Sequence, residues 1–262
     1  MPRRARLALA TAVALVVALV CNGLANALPL NGMGTGELSD LYPNLFVPMG
    51  ATFSIWGVIY LGLTGLVVHA LGQVRSPEPR TAVERMGPWM AVNLLANATW
   101  IFAWHWRAVA LSVGVMGVIL GTLLVLYRRV CLAGVAVGGR ERWLVHVPIR
   151  VYLGWISVAT VANVTALAVD LGVPAFGTAP AVATVVMVSV AVGLAVTMLV
   201  RHRDLAYALV IAWALLGIAV KRSGATQNGS ETVALAAGAG LAVVLVGALW
   251  TGLGRRSSDP PG

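Results

Sequence analysis

Charge is scarce in this 262-residue chain. Charged residues make up 10% of the sequence, hydrophobic residues make up 59%, and the mean hydropathy is +0.88. A soluble globular domain normally carries roughly a quarter charged residues. The composition therefore excludes an ordinary water-soluble protein and predicts an all-α polytopic membrane protein, with the lipid bilayer as its first partner.

Cysteine and the common catalytic motifs are nearly absent as well. Cys21 and Cys131 are the two cysteines, and they lie far apart in the sequence, which excludes a disulfide framework and a cysteine-based metal site. The sequence has no phosphate-binding glycine loop, nucleophile elbow or cluster of metal-ligating residues. We therefore expect no metal, no required cofactor and no ordinary hydrolase or ATPase activity.

The long apolar runs predict about eight transmembrane helices, because most approach the roughly 20 residues that cross hydrocarbon. The first run has an alternative interpretation as a signal peptide, since Ala25 and Ala27 resemble a cleavage site. In order, the spans are the run that ends near Leu24, then Ala51 to Leu71, Met86 to His105, Val109 to Tyr127, Val147 to Val169, Ala181 to Val200, Leu205 to Val220 and Thr232 to Leu253.

The basic residues predict how these spans are oriented, because Lys and Arg gather in cytoplasmic segments. With the N-terminus inside, all but three of the 18 basic residues fall in cytoplasmic segments; Arg107, Lys221 and Arg222 are the exceptions. We therefore expect a multi-pass protein of the cell membrane with both termini cytoplasmic. The basic residues form no long basic face, so nucleic acid is not an expected partner. The cytoplasmic set is Arg3, Arg4, Arg6, Arg75, Arg80, Arg85, Arg128, Arg129, Arg140, Arg142, Arg150, Arg201, Arg203, Arg255 and Arg256.

No Asp, Glu, Lys or Arg lies in the middle of a predicted span. Proton relays and ion-coupled carriers usually have such a group, so coupled transport loses support. The nearest ionisable residues, His69, His105 and Asp170, lie at span ends. We interpret them as interfacial residues.

Aromatic and amide side chains recur at helical spacing in three spans. Such residues can simply hold helices together or form an interfacial belt. Together, however, converging rings make a slot for a flat ligand, and amides can orient its polar substituents. In each span these residues lie on one face of the helix and form a stripe. The three stripes are Trp56 with Tyr60 in the second span, Asn93, Asn97, Trp100 and Trp104 in the third, and Tyr152, Trp155, Ala159 and Asn163 in the fifth. Pro43 and Pro48 predict a non-helical loop before Gly50 that leads into the second span.

On these residues the chain resembles the tryptophan-rich sensory protein family, also called TspO/MBR or translocator proteins. The resemblance covers roughly the first 170 residues, in three blocks that follow the family's order. The family's tandem proline is represented here by one proline, the aromatic two positions later is Gly50, and Phe53 is displaced by one position. The blocks are Pro48, Trp56 and Tyr60, then Asn97 and Trp100, then the Y-x-x-W-x-x-x-A-x-x-x-N pattern of Tyr152, Trp155, Ala159 and Asn163.

The resemblance implies a five-helix bundle, commonly a homodimer, with a pocket beneath the first loop for porphyrins, haem-like pigments, sterols or drugs. It suggests a TspO-like transmembrane bundle over 1–176, a three-helix transmembrane extension over 177–254 and a polar cytoplasmic tail over 255–262. We thus expect a binder or sensor of a flat hydrophobic ligand, a porphyrin or haem-like molecule. The ligand-binding set is Pro48, Trp56, Tyr60, Asn93, Asn97, Trp100, Trp104, Tyr152, Trp155, Ala159 and Asn163.

Two other functional interpretations stay open. An uncoupled permease or transporter subunit suits eight spans and glycine-rich helices, and an enzyme that modifies a bound porphyrin is a third reading. Leu124, Tyr127 and Arg129 also fit a loose cholesterol-recognition pattern. Interfacial anchoring explains those three residues equally well.

Overall fold

A computed structural model of the chain describes residues 1–28, 30–76, 81–173 and 180–256, and every regular element in these ranges is helical. Arg80, the expected boundary at 176/177 and residues 257–262 of the expected tail lie outside the described residues. The helices are α1 (Arg3–Ala27), α2 (Thr35–Asp40), α3 (Ile55–Gly72), α4 (Ala82–Met86), α5 (Trp89–His105), α6 (Val109–Leu126), α7 (Gly139–Glu141), α8 (Val147–Asp170), α9 (Pro180–His202), α10 (Leu205–Arg222) and α11 (Ser230–Arg256).

Seven segments of the described chain are long and apolar enough to cross a membrane. The remaining predicted span corresponds to α5, whose 17 residues extend roughly 25 Å at the helical rise per residue. The predicted class is confirmed: the chain is a polytopic helical membrane protein with close to eight spans. The prolines act as predicted too, because the chain is non-helical from 41 to 49 and α3 begins only after a short tight turn over Gly50–Ser54.

The chain forms two compact units. The first unit contains Met1–Leu38 and Ser54–Ile156, and the second contains Ser39–Phe53 and Ser157–Gly262. The expected division into 1–176 and 177–254 is drawn on other grounds and stays a prediction.

In the first unit, α5 is the central helix and packs against both α1 and α6, while α3 packs against α1 and the π-helical segment Arg142–His146. At one edge, Thr81 and Glu84 cap α4 reciprocally, and Arg4 Nε lies 2.9 Å from Glu84 Oε1. The hydrogen bond from Arg4 lowers the pKa of the Glu84 carboxyl below its usual value. The basic start of α1 is therefore fixed beside α4.

In the second unit, α9, α10 and α11 pack against one another. Small residues allow the close approach: a Cβ added at Gly240 in α11 would lie 2.6 Å from Val192 Cγ2 in α9. Helices in lipid gain little from burying apolar groups against each other, so such close backbone packing supplies much of their association. The second unit also includes the loop Ser39–Phe53, which we call the anchored loop.

Candidate ligand-binding site

Asn97 is the polar centre of the first unit, with 1% of its surface exposed. Its Oδ1 accepts hydrogen bonds from Asn22 Nδ2 at 2.9 Å and from the Tyr60 hydroxyl at 3.1 Å. Its Nδ2 donates to the Tyr152 hydroxyl at 3.0 Å. One α5 side chain therefore ties α1, α3 and α8 together, and both ends of its amide are used.

Four aromatic rings form a cluster next to this amide. Trp56 stacks on Tyr60 with centroids 5.5 Å apart and an interplanar angle of 22°. It meets Tyr152 at 6.0 Å and Trp155 at 6.4 Å, both edge to face. Tyr152 and Trp155 are buried, whereas Trp56 and Tyr60 are half-buried. The stacked pair is thus the accessible side of the cluster, and the edge-on rings form its fixed back.

The other residues of the α5 stripe have different neighbours. Asn93 Nδ2 donates to Ile119 O at 3.0 Å and to Thr122 Oγ1 at 2.8 Å, so it joins α5 to α6. Trp100 and Trp104 stack on each other with centroids 5.7 Å apart. These contacts indicate a structural role for the three residues, and their part in ligand binding stays a prediction.

The end of α5 holds the segment that follows α1. Trp104 Nε1 donates to Thr35 O at 3.3 Å, and His105 Nε2 lies 3.1 Å from Thr35 Oγ1. His105 Nδ1 lies 2.9 Å from Leu30 O. His105 is fully buried, and its ring nitrogens lie within hydrogen-bonding distance of other groups of the protein. Its position at the membrane interface stays a prediction.

Pro48, Ala159 and Asn163 belong to the second unit. Pro48 and Asn163 are buried there, and Ala159 is half-buried. Their membership in one site with the aromatic cluster stays a prediction.

The anchored loop is held by two basic residues at the end of α10. Arg222, which is 6% exposed, donates from Nε to Leu45 O at 3.1 Å and from Nη2 to Asn44 O at 2.8 Å. Lys221 Nζ lies 2.8 Å from Asp40 Oδ1. These contacts explain why two basic residues occur in a segment where the distribution of charge predicts few basic residues: both bind the anchored loop.

The body of α10 also contacts this loop. Trp213 Nε1 donates to Thr52 O at 2.9 Å, and Met49 N donates to Gly217 O at 3.2 Å. A side chain at Gly217 would collide with Thr52 Oγ1, so only glycine fits against the loop there. The loop is therefore a docked element of the second unit.

Sequence reasoning missed Asn22 and the anchoring role of Arg222. Asn22 has a visible signal, because it is an amide in an otherwise apolar first span. Arg222 has a weaker signal, because it is a basic residue in a segment predicted to lie outside, where few basic residues are expected.

Comparison with known proteins supports the resemblance. A family model described as TSPO-like protein matches residues 8–250. The match continues past the roughly 170 residues that carry the motifs and includes the last three long helices. No curated protein and no solved structure matches the chain. Since the match covers nearly the whole sequence, the chain belongs to the TSPO-like protein family.

Proposed function

We propose that this TspO-like membrane protein binds, and so senses, a flat hydrophobic ligand such as a porphyrin or another tetrapyrrole. The observation that carries the proposal is the cluster of Trp56, Tyr60, Tyr152 and Trp155 around the buried amide of Asn97. Family membership supports the membrane setting, and the ring geometry supports the shape of the ligand.

The half-buried pair of Trp56 and Tyr60 is the proposed contact surface. Aromatic rings favour offset stacks and edge-to-face pairs, so a flat macrocycle extends the existing stack at little cost in rearrangement. Tyr152 and Trp155 meet Trp56 by their edges and fix its orientation.

Asn97 has a positioning role in this proposal. Its hydrogen bonds hold the hydroxyls of Tyr60 and Tyr152, which restricts both rings before a ligand arrives. Preorganised rings lose less freedom on binding, and this raises affinity. Pro48, Ala159 and Asn163 are proposed as further contact residues, as the family pattern implies.

Trp155 offers a test of the aromatic cluster, because its ring fixes the orientation of Trp56. Trp155→Ala removes a large ring from the cluster, and we expect protoporphyrin to bind about 2–4 kcal/mol more weakly. Trp155→Phe keeps a ring and should retain most of the affinity. Quenching of intrinsic tryptophan fluorescence in detergent measures each affinity, and a parallel melting curve gives the folded fraction. Trp143→Ala is the matched control, because Trp143 lies in the same unit and is 70% exposed.

Asn163→Ala extends the test to the predicted second-unit residues. If Asn163 contacts the ligand, the substitution should lower the affinity. If Asn163 has only a structural role, the substitution should lower the melting temperature and leave the affinity of the folded protein unchanged. Saturable binding that no cluster substitution alters would contradict the proposed site. Failure of flat ligands to bind, together with solute uptake into proteoliposomes, would instead support a permease.

We also propose that the protein lies in the cell membrane with both termini in the cytoplasm, as its basic residues predict. A reporter enzyme fused after Arg129 should report the cytoplasm, and one inserted near Thr35 should report the opposite side. The same location for both reporters would overturn the predicted orientation.

A further inference from the structure

A cleft of about 660 Å³ opens in the second unit, beside the turn that joins α10 to α11. Its lining has a polar end and an apolar side. The polar end contains Arg222, Ser223 and Glu231, and the apolar side contains Val220, Ala234 and Leu235.

The Arg222 guanidinium is a buried charge at this polar end. Its hydrogen bonds go to neutral acceptors, namely the carbonyls of Asn44 and Leu45 and the side-chain amide of Gln227 at 3.1 Å. Within the described ranges, no carboxylate forms an ion pair with it, and the nearby Asp40 is paired with Lys221. A guanidinium has five N–H donors, and these three contacts leave some for another acceptor. Burying a charge is costly unless the charged group is paired, so an anionic group in the cleft that accepts hydrogen bonds from Arg222 would be stabilised.

The apolar side of the cleft continues onto the exposed surface of the helices. Val220 and Leu235 are exposed, Leu235 to 69%. The cleft lies where two membrane-crossing segments end, which is the depth at which bilayer lipids carry their headgroups. An occupant from the bilayer would therefore meet the polar end with its headgroup and the apolar side with its chain.

We propose that this cleft binds a membrane phospholipid, with its phosphate accepting hydrogen bonds from Arg222 and an ammonium headgroup facing Glu231. The opposite charges of Arg222 and Glu231 in one cleft match a zwitterionic headgroup of the phosphatidylethanolamine type. A free fatty acid supplies an anion and a chain but leaves Glu231 without a partner. The lining of this cleft shares no residue with the proposed ligand-binding set.

Lipid binding at this place has a structural consequence. Arg222 also donates hydrogen bonds to the carbonyls of Asn44 and Leu45 in the anchored loop. A phosphate bound to the same guanidinium would therefore restrain Arg222 and, through it, the loop. A ligand that binds only the folded protein stabilises it by mass action. Added phosphatidylethanolamine should therefore raise the melting temperature.

Native mass spectrometry in detergent tests the proposal with three added probes: phosphatidylethanolamine, phosphatidylglycerol and a free fatty acid. We expect the wild type to bind one phosphatidylethanolamine in preference to the other two. Ala234→Trp fills the apolar side of the cleft and leaves Arg222 itself unsubstituted, and it should weaken this adduct by roughly tenfold because the acyl chain loses its place. Ala239→Trp is the matched control, because Ala239 lies on the same helix, is exposed and does not line the cleft.

Glu231→Gln tests the headgroup separately. It should reduce the preference for phosphatidylethanolamine over phosphatidylglycerol and leave the melting temperature of the lipid-free protein unchanged, because Glu231 is exposed. Equal adducts in Ala234→Trp and Ala239→Trp would overturn the cleft as the site. Equal binding of fatty acid and phosphatidylethanolamine by the wild type would overturn the phospholipid assignment, and an unchanged preference in Glu231→Gln would overturn the role of Glu231.

Discussion

The two units use polar side chains differently. In the first unit, buried amides such as Asn93 and Asn97 bond to other helices. In the second, the buried hydroxyl of Thr184 bonds back to Pro180 O of its own helix at 2.7 Å, while Arg222 reaches the anchored loop. The first unit thus has a polar network in its helical core, where one change affects several partners. The second combines small-residue helix packing with a docked loop.

The largest effect should come from breaking the network at its centre. Asn97→Leu leaves Asn22, Tyr60 and Tyr152 without their shared partner, and we expect unfolding to become about 2–4 kcal/mol easier. Denaturant unfolding in mixed micelles measures the change. Thr184→Val is the matched control in the second unit: it removes a buried hydroxyl of intrahelical function and should cost less than about 1 kcal/mol.

This pair of substitutions decides whether the contrast between the units is energetic or only geometric. Similar costs for Asn97→Leu and Thr184→Val would contradict the role of Asn97 as a shared partner. A loss of protoporphyrin affinity in Asn97→Leu protein that is still folded would support its positioning role.

The next effect concerns how the second unit docks its loop. Gly217→Ala places a methyl group against Thr52 Oγ1 and 3.0 Å from Pro48 Cβ, and we expect a cost of about 1–3 kcal/mol from overpacking. The same unfolding measurement applies. Gly193→Ala is the control, because a Cβ at Gly193 meets nothing within 4 Å and alanine is the better helix former. Adding Thr52→Ala to Gly217→Ala should recover part of the lost stability. If the double variant is no more stable than Gly217→Ala, the collision with Thr52 is not the cause of the loss.

Much of the fold follows from the sequence, because hydrophobic run length and proline positions are local signals. The runs locate the long helices, and Pro43 and Pro48 locate the break before α3. The helical period also places Asn97 with Trp100 and Trp104 on one face. It does not predict which neighbouring helix each side chain contacts. Asn97 meets three other helices and Asn93 meets α6, although they are one turn apart.

The anchored loop shows where sequence reasoning fails. The distribution of basic residues is used only to predict topology, and Lys221 and Arg222 are exceptions to the predicted topology. Their actual partners are Asp40 and the carbonyls of residues 44 and 45, which are about 180 positions away in the chain. A carbonyl acceptor has no side-chain signature, so no pattern in the sequence could reveal that Arg222 binds there.

The smallest expected effect separates the two basic residues that anchor the loop. Lys221 and Asp40 form an exposed pair, with the Asp40 side chain 66% exposed, so solvent and salt screen their attraction. Lys221→Met and Asp40→Asn should each cost about 0.2–1 kcal/mol at low salt and less at high salt. A double-mutant cycle in the two salt conditions isolates the coupling between them. A cost of Lys221→Met with no coupling to Asp40 would mean that Lys221 acts through another contact, for which the Pro48 carbonyl at 3.5 Å is the nearest candidate. A coupling that disappears in salt would assign the anchoring of the loop chiefly to buried Arg222, whose contacts salt screens far less.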